Sequence, residues 1–155
     1  MIGDALVRAA YRAAYWGARC WWFVRRPRTR GAAVAIWSGG RVLLVKTSYR
    51  KNYSLPGGFV NRHERPEDAA VRELHEEINM RVDASRLKRA YEGTVRVEHH
   101  DDTLTIWEVE IEPQPDVRAN GRELVWVGWK SAEEAASLPL LRHVRDYLSA
   151  RASAA

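Results

Sequence analysis

Apolar and polar residues recur along the chain with two periods, and these periods mark the expected helices and strands. From Pro66 to Ile78 the apolar residues return every three or four positions, which predicts an amphipathic helix. Apolar, β-branched and aromatic runs predict strands at 32–37, 41–47, 87–98, 103–112 and 123–129. Short helices are expected at 132–136 and from 140 to about 150. A length of 155 residues suits one domain with one substantial core.

The helix predicted at 66–78 has two chemically different faces. Proline suits its first turn, and the acidic residues that follow favour the positive end of the helix dipole. Glu73, Glu76 and Glu77 share one side, because positions three and four apart are neighbours on a helix. Such carboxylates repel one another, and hard oxygen ligands suit Mg²⁺ or Mn²⁺. Taken alone, the helix favours a solvated acidic face, with a bound cation as the alternative.

The wider segment around this helix changes that preference. Residues 58–80 resemble the signature of the Nudix hydrolases, Gly-x5-Glu-x7-Arg-Glu-U-x-Glu-Glu-x-Gly-U, where U is bulky and apolar. The matching positions are Gly58, Glu64, Arg72, Glu73, Glu76 and Glu77, with Leu74 and Met80 as the two U residues. Six such matches would arise by chance in roughly one sequence in a million. Asn79 replaces the final glycine, and asparagine is the next best residue for a left-handed helix end.

The resemblance covers about residues 31–148 and implies both a fold and a chemistry. The implied fold is α/β, a Nudix-type α/β/α sandwich with a mixed β-sheet. The implied reaction is the Mg²⁺- or Mn²⁺-dependent hydrolysis of a nucleoside diphosphate linked to a group X, by attack of water at phosphorus. By position in the motif, the metal ligands are Glu73, Glu76, Glu77 and the Gly57 carbonyl, with one of the three glutamates able to take the proton from water. Arg72 is expected to orient the acidic cluster and to pair with Glu64.

Further site residues are expected outside the motif. Many Nudix enzymes use another carboxylate as a metal ligand or base, and Glu123 is the first candidate because it begins the late strand. Glu98 and Asp101 are held in reserve. Lys46 and Arg50 precede the motif and are candidates for contacting substrate phosphates, although surface cations usually serve only solubility. The run at 99–102, His-His-Asp-Asp, is interpreted as a solvated hairpin tip rather than a second metal site.

The substrate is less well defined than the chemistry. The region near Arg96 lacks the proline that would suggest ADP-ribose, so a (d)NTP-type nucleotide, oxidised forms included, is the first expectation. Hydrolysis of ADP-ribose or another nucleoside diphosphate derivative, and a catalytically silent nucleotide sensor, remain the alternatives. Trp37, Tyr53 and Trp107 are candidates for stacking a base, but aromatic residues on strands more often belong to the core.

The N-terminal 30 residues differ in charge from the rest of the chain. They hold seven arginines and one aspartate, a net charge of +6, whereas residues 31–155 have a net charge of −1. We divide the chain into a basic helix and linker at 1–30 and a Nudix domain at 31–150. For a helix from about Gly3 to Val24, one narrow stripe of the helical wheel holds Asp4, Arg8, Arg12, Arg19 and Arg26. It would leave a wide apolar surface: Leu6, Ala9, Ala13, Trp16 and Phe23.

Three interpretations of this N-terminal helix stay open. It packs on its own domain or on a partner subunit in a homodimer, or it contacts an anionic membrane surface through residues 3–30. Nucleic acid binding is disfavoured, because no reader motif accompanies the arginines. The single cysteine, Cys20, allows no internal disulfide. We expect a cytoplasmic protein with a small-molecule nucleotide substrate, with membrane association as the alternative.

Overall fold

The computed structural model describes residues 2–25, 28–97 and 100–154. Arg26, Glu98 and His99, which the sequence predictions include, lie outside that range. The helices are α1 (Ile2–Arg25), α2 (Pro66–Ile78), α3 (Ala132–Ala136) and α4 (Arg142–Ala154). The strands are β1 (Arg28–Ser38), β2 (Arg41–Thr47), β3 (Gly57–Phe59), β4 (Lys88–Val97), β5 (His100–Glu110) and β6 (Leu124–Ser131). The bounds of α2 and α3 are those predicted from the sequence.

The described strands form one mixed sheet in the order β4-β5-β1-β2-β6, with β3 pairing with β1. Strands β1 and β5 run parallel along their length, and the predicted turn at Gly39 and Gly40 joins β1 to β2. The edge of β1 that does not pair with β5 has two partners along its length. Its first part pairs with β3, and only Trp37 and Ser38 pair with β2. This division brings the glycines of β3 into the sheet beside α2.

Helices cover both faces of the sheet, as the α/β/α expectation requires. One buried cluster joins α2 to β1, β2 and β6, and its largest members include Ile36, Leu43, Leu74 and Leu124. The other lies under α3 and α4 and includes Leu44, Ile106, Val144 and Tyr147. Alternate residues of β1 and β2 enter opposite clusters, because successive side chains of a strand point to opposite faces.

Strand β5 corrects two details of the sequence interpretation. It begins at His100, so Asp101 and Asp102 lie within a paired strand and not in a hairpin tip. Asp102 accepts a hydrogen bond of 2.6 Å from the Thr29 hydroxyl on the neighbouring strand. Trp107 and Val109 of β5 pack in one core, and Ile106 on the opposite face of the strand is fully buried in the other. Helix α4 covers this second face, which a pattern along one strand does not reveal.

Helix α1 packs on its own domain, against the loop that follows β2. The rings of Tyr11 and Tyr15 lie 6.4 Å and 5.1 Å from the ring of Tyr49. Arg12 Nε donates a 3.3 Å hydrogen bond to the Ser48 carbonyl. No described helix is both long and apolar enough to cross a bilayer. The expected boundary between residues 30 and 31 falls inside β1, which starts at Arg28.

The docked face of α1 is not the apolar surface singled out in the sequence. Leu6, Trp16 and Phe23 are 67%, 61% and 60% exposed. The residues that face the domain are instead spaced at i, i+3, i+4 and i+7: Tyr11, Ala14, Tyr15 and Ala18. Small residues and tyrosines allow a close approach while the phenol groups stay near polar surroundings. Contact with a partner subunit or a membrane stays a prediction.

Candidate active site

The acidic face of α2 begins and ends as its local sequence predicts. Pro66 opens the helix, and Glu67 and Asp68 lie in its first turn. Asn79 ends it with φ 53° and ψ 32°, in the left-handed region, and its N–H donates to the His75 carbonyl. Asparagine therefore takes the place of the expected glycine with little distortion.

Arg72 connects the carboxylates of the motif. Its Nε and Nη2 donate hydrogen bonds of 2.8 Å and 3.1 Å to the two oxygens of Glu64, as the sequence interpretation expected. Its Nη1 donates to Glu73 at 2.7 Å and to Glu76 at 3.3 Å. The two-pronged bond to arginine, with the Asn61 N–H, holds the pKa of the Glu64 carboxyl down at about 2. Arg72 thus orients the acidic cluster and offsets part of its charge.

Glu77 is the most deeply buried carboxylate of the motif. Only 4% of the residue is exposed, and one of its oxygens accepts a 2.9 Å hydrogen bond from the Gly57 N–H. Burial, together with the charges of Glu123, Glu73 and Glu76, raises the pKa of Glu77 to about 8, against the opposing effect of the Gly57 hydrogen bond. Burial also raises the pKa of Glu73, against the opposing effect of Arg72. The fold therefore holds these groups where their negative charge is unfavourable.

Two glycines permit this close packing. A Cβ on Gly57 would lie 2.3 Å from the Ala32 carbonyl oxygen, and its φ of 152° is itself unfavourable for other residues. A Cβ on Gly58 would lie 2.4 Å from an oxygen of Glu73. Side chains at these positions would push β3 away from β1 or displace the carboxylate. The glycines thus allow the backbone to reach the acidic face of α2.

Glu123 approaches the same region from the start of β6. Its carboxylate accepts a 2.8 Å hydrogen bond from the hydroxyl of Tyr49. Burial, followed by the charge of Glu123, raises the pKa of Tyr49 well above its usual range, so this phenol remains a donor. The charge of Glu123 also acts on Glu77 and Glu73. A residue of the loop after β2 thus holds the carboxylate that is the first candidate outside the motif.

These groups line one cavity of about 450 Å³. Among the predicted site residues, the cavity is lined by Gly57, Arg72, Glu73, Glu76, Glu77, Glu123 and Arg50. Lys46 is not among the lining residues, since its ammonium lies 4.9 Å from the centre of the Tyr53 ring. Asp101 lies in β5, where its carboxylate is 4.0 Å from Arg96, and it does not line the cavity either.

The cavity also has walls that the sequence interpretation did not include. Tyr11, Ala14, Tyr15 and Ala18 of α1 line it, together with Tyr49, Asp102 and His143. The i, i+3, i+4, i+7 spacing of the α1 residues was a signal for a docked face, but larger apolar residues obscured it. Trp37, Tyr53 and Trp107 are absent from the lining residues and pack in the two cores. These positions agree with the core interpretation of the three aromatic residues and not with the stacking of a base.

The carboxylates fit a hard divalent cation by their chemistry. Burial and mutual repulsion oppose the charge of Glu73 and Glu77, and a cation among them would relieve both effects. As the side chains stand, Glu73 and Glu76 contact Arg72, and Glu77 contacts Gly57. Within 2–25, 28–97 and 100–154, no three His, Cys, Asp or Glu side chains converge as a closed ligand group. The donor set therefore fits, but its side chains point to other partners.

Comparisons with known proteins agree with this geometry. The model of the NUDIX domain matches residues 27–151. A Mycobacterium tuberculosis protein whose name provisionally assigns it as 8-oxo-dGTP diphosphatase 3 is 32% identical over 151 residues. That alignment covers 89% of this chain and 64% of the relative. The chain spans 63–64% of the length of the curated relatives it matches.

Solved structures show the same fold. The MutT protein of Methanosarcina mazei has a TM-score of 0.73 at 19% identity, over 84% of this chain and 96% of that one. A bifunctional NMN adenylyltransferase/ADP ribose pyrophosphatase of Francisella tularensis, complexed with AMP and a Mn ion, has a TM-score of 0.69 at 16% identity. It matches over 93% of this chain and 47% of that one. With the mixed sheet, the acidic face of α2 and the family match, this chain belongs to the Nudix hydrolase superfamily.

Proposed function

We propose that this chain is a divalent-metal-dependent pyrophosphohydrolase of nucleoside diphosphate derivatives, with a nucleoside triphosphate as its substrate. The observation that carries the proposal is that the acidic face of α2, Glu123 and Arg50 line one and the same cavity. The carboxylates suit a metal-bound phosphate chain, and the guanidinium suits a phosphate directly. The name of the mycobacterial relative favours a triphosphate, oxidised forms included.

Each carboxylate has a proposed part in the reaction. Glu73, Glu76 and Glu77 would hold Mg²⁺ or Mn²⁺, with the Gly57 carbonyl completing the ligand set. When bound, the metal supplies positive charge against the charge that builds on the phosphate oxygens. Arg72 would keep Glu73 and Glu76 aligned, and Arg50 would neutralise part of the charge of the phosphate chain.

The hydrolytic step needs a base for water. We assign this role to Glu123, because its carboxylate lies in the cavity and the Tyr49 hydroxyl fixes one of its oxygens. Water oxygen forms a bond to phosphorus as the bridging P–O bond breaks, and one water proton passes to the Glu123 carboxylate. The products are a nucleoside monophosphate and pyrophosphate if the bond between the α and β phosphates is cleaved.

A substrate panel tests this proposal. Canonical and 8-oxo nucleoside triphosphates, ADP-ribose, dinucleoside polyphosphates and capped RNA are incubated with the full chain and Mg²⁺ or Mn²⁺, and products are separated by ion-exchange chromatography. We expect a triphosphate to be hydrolysed fastest and EDTA to abolish turnover. Faster hydrolysis of ADP-ribose would overturn the substrate assignment. Nucleotide binding without hydrolysis of any compound would favour the silent sensor.

A further inference from the structure

Helix α1 lies before residue 27, where the NUDIX domain match begins, yet it lines the catalytic cavity. Its residues Ala14, Tyr15 and Ala18 belong to the same cavity surface as Glu76 and Glu123. We propose that α1 is a wall of the substrate site and that Tyr15, supported by Tyr49, contacts the ring system of the nucleotide. The inference rests on the proposed function and assigns its specificity to a segment outside the family domain.

The aromatic wall is held together by several contacts. The ring centres of Tyr15 and Tyr49 lie 5.1 Å apart, with a 35° angle between the ring planes. Tyr11 stacks on Tyr49, with ring centres 6.4 Å apart and an angle of 16°. The guanidinium of Arg50 lies 5.8 Å from the ring centres of both Tyr15 and Tyr49. Rigid aromatic side chains lose little conformational entropy when they bind a flat ligand, and any base presents a π face to them.

The cavity is chemically divided in a way that matches a nucleotide. The acidic face of α2 and Glu123 suit a metal-bound phosphate chain, whereas α1 contributes aromatic rings and small apolar residues. Arg50 contacts the tyrosines and lines the same cavity. A ligand with phosphates at one end and an aromatic ring at the other would satisfy both surfaces.

Docking for stability alone does not explain the orientation of α1. Leu6, Trp16 and Phe23 are more than half exposed on the outward face, although their burial would remove more apolar surface from water. The helix instead turns Tyr11 and Tyr15 towards the cavity. Tyrosines have polar hydroxyls and tolerate the partly wet surroundings of a binding site. The orientation therefore favours a ligand contact.

Calorimetric titration of the full chain in Mg²⁺ tests the inference without turnover. The probes are a nucleoside triphosphate with a methylene bridge between the α and β phosphates, and inorganic tripolyphosphate, which has no ring. We expect Tyr15→Ala to weaken nucleotide binding about tenfold, as the loss of one stacked base predicts. Tripolyphosphate affinity should not change. Tyr15→Phe should keep the nucleotide affinity, because it keeps the ring.

Leu6→Ala is the matched control, since it removes a large apolar side chain from the outward face of the same helix. It should leave the affinity for both probes unchanged. Equal weakening of both probes by Tyr15→Ala would assign the residue to the fold and overturn the inference. Unchanged nucleotide binding in Tyr15→Ala would overturn it as well. Because binding is measured apart from hydrolysis, a chain that binds but does not hydrolyse would contradict the proposed function only.

Discussion

Two helices face the same cavity and contribute opposite chemistry. Helix α2 presents Glu73, Glu76 and Glu77. Arg72 donates hydrogen bonds to Glu73 and Glu76, and the glycines of β3 leave room for the carboxylates. Helix α1 presents two alanines and two tyrosines, and the tyrosine rings lie against Tyr49 of the loop after β2. A dense local motif specifies α2, whereas the position of α1 depends on the surface of the domain that it contacts. We therefore expect substitutions on α2 to reduce hydrolysis of every substrate and substitutions on α1 to change which substrates bind.

The largest expected effect is on the acidic face of α2. Glu76→Gln or Glu77→Gln should lower kcat by at least about 100-fold, because each removes a negative oxygen proposed to bind the metal. Steady-state kinetics in Mg²⁺ and in Mn²⁺ measure this effect. Glu110→Gln, at an exposed position of β5, is the control with the same chemical change. Full activity in both α2 variants would remove the metal role from this face.

A smaller effect on kcat is expected at Tyr49, which contacts both α1 and Glu123. Tyr49→Phe removes the hydroxyl that donates to Glu123 but keeps the ring on which α1 rests. A hydrogen bond to a charged group contributes about 1.5–3 kcal/mol, so kcat should fall about tenfold or more.

Tyr53→Phe is the control for this change, because it also removes a phenol hydroxyl but the residue does not line the cavity. Its kcat should match that of the unaltered protein. If Tyr49→Phe leaves kcat unchanged, Tyr49 does not position the base.

The pair Glu64–Arg72 should affect stability in a defined pH range. The pKa of Glu64 is lowered to about 2 in the folded protein from an ordinary value of 4.5, chiefly by its hydrogen bonds to Arg72. Folding thus favours the charged carboxylate, so its contribution is fully present above about pH 4.5 and is lost as the pH falls towards 2. Glu64→Gln should melt below the unaltered protein at pH 7, and the gap should narrow at pH 3.

Thermal melts at pH 7, 5 and 3 measure this dependence. The other carboxylates are common to both proteins, so the difference between the two melting curves reports on Glu64. Two curves separated by the same interval at all three pH values would show that this carboxylate does not contribute through its charge.

The smallest effect concerns the end of α2 alone. Asn79 lies in the left-handed region, where glycine meets no steric penalty and a β-branched residue does. Asn79→Gly should be neutral or stabilising by up to about 1 kcal/mol, and Asn79→Val should destabilise by about 1–2 kcal/mol. Urea unfolding measures both, and kcat should not change, because no carboxylate is lost. Equal stability of the three proteins would contradict this view of the helix end.

The sequence by itself determined the elements whose causes are local. The proline, the acidic first turn and the apolar period specified α2 from Pro66 to Ile78, and Asn79 marked its left-handed end. The motif spacing carried the resemblance that implied the family, the sandwich fold and the Glu64–Arg72 pair. Helix α2 and its end depend on residues close together in the chain, and their preferences act before any long-range contact forms.

Only the tertiary structure decided how distant groups meet. The division of the β1 edge between β3 and β2 brings Gly57 to Glu77 and buries that carboxylate. The loop after β2 brings Tyr49 to Glu123 and also receives α1. An analysis of amphipathic periodicity compares the faces of α1 only by their hydrophobicity. It therefore predicted that the face with Leu6 and Trp16 makes the contact. The docked face is set by complementarity to a partly polar cavity, and that surface exists only once the sheet and its loops are assembled.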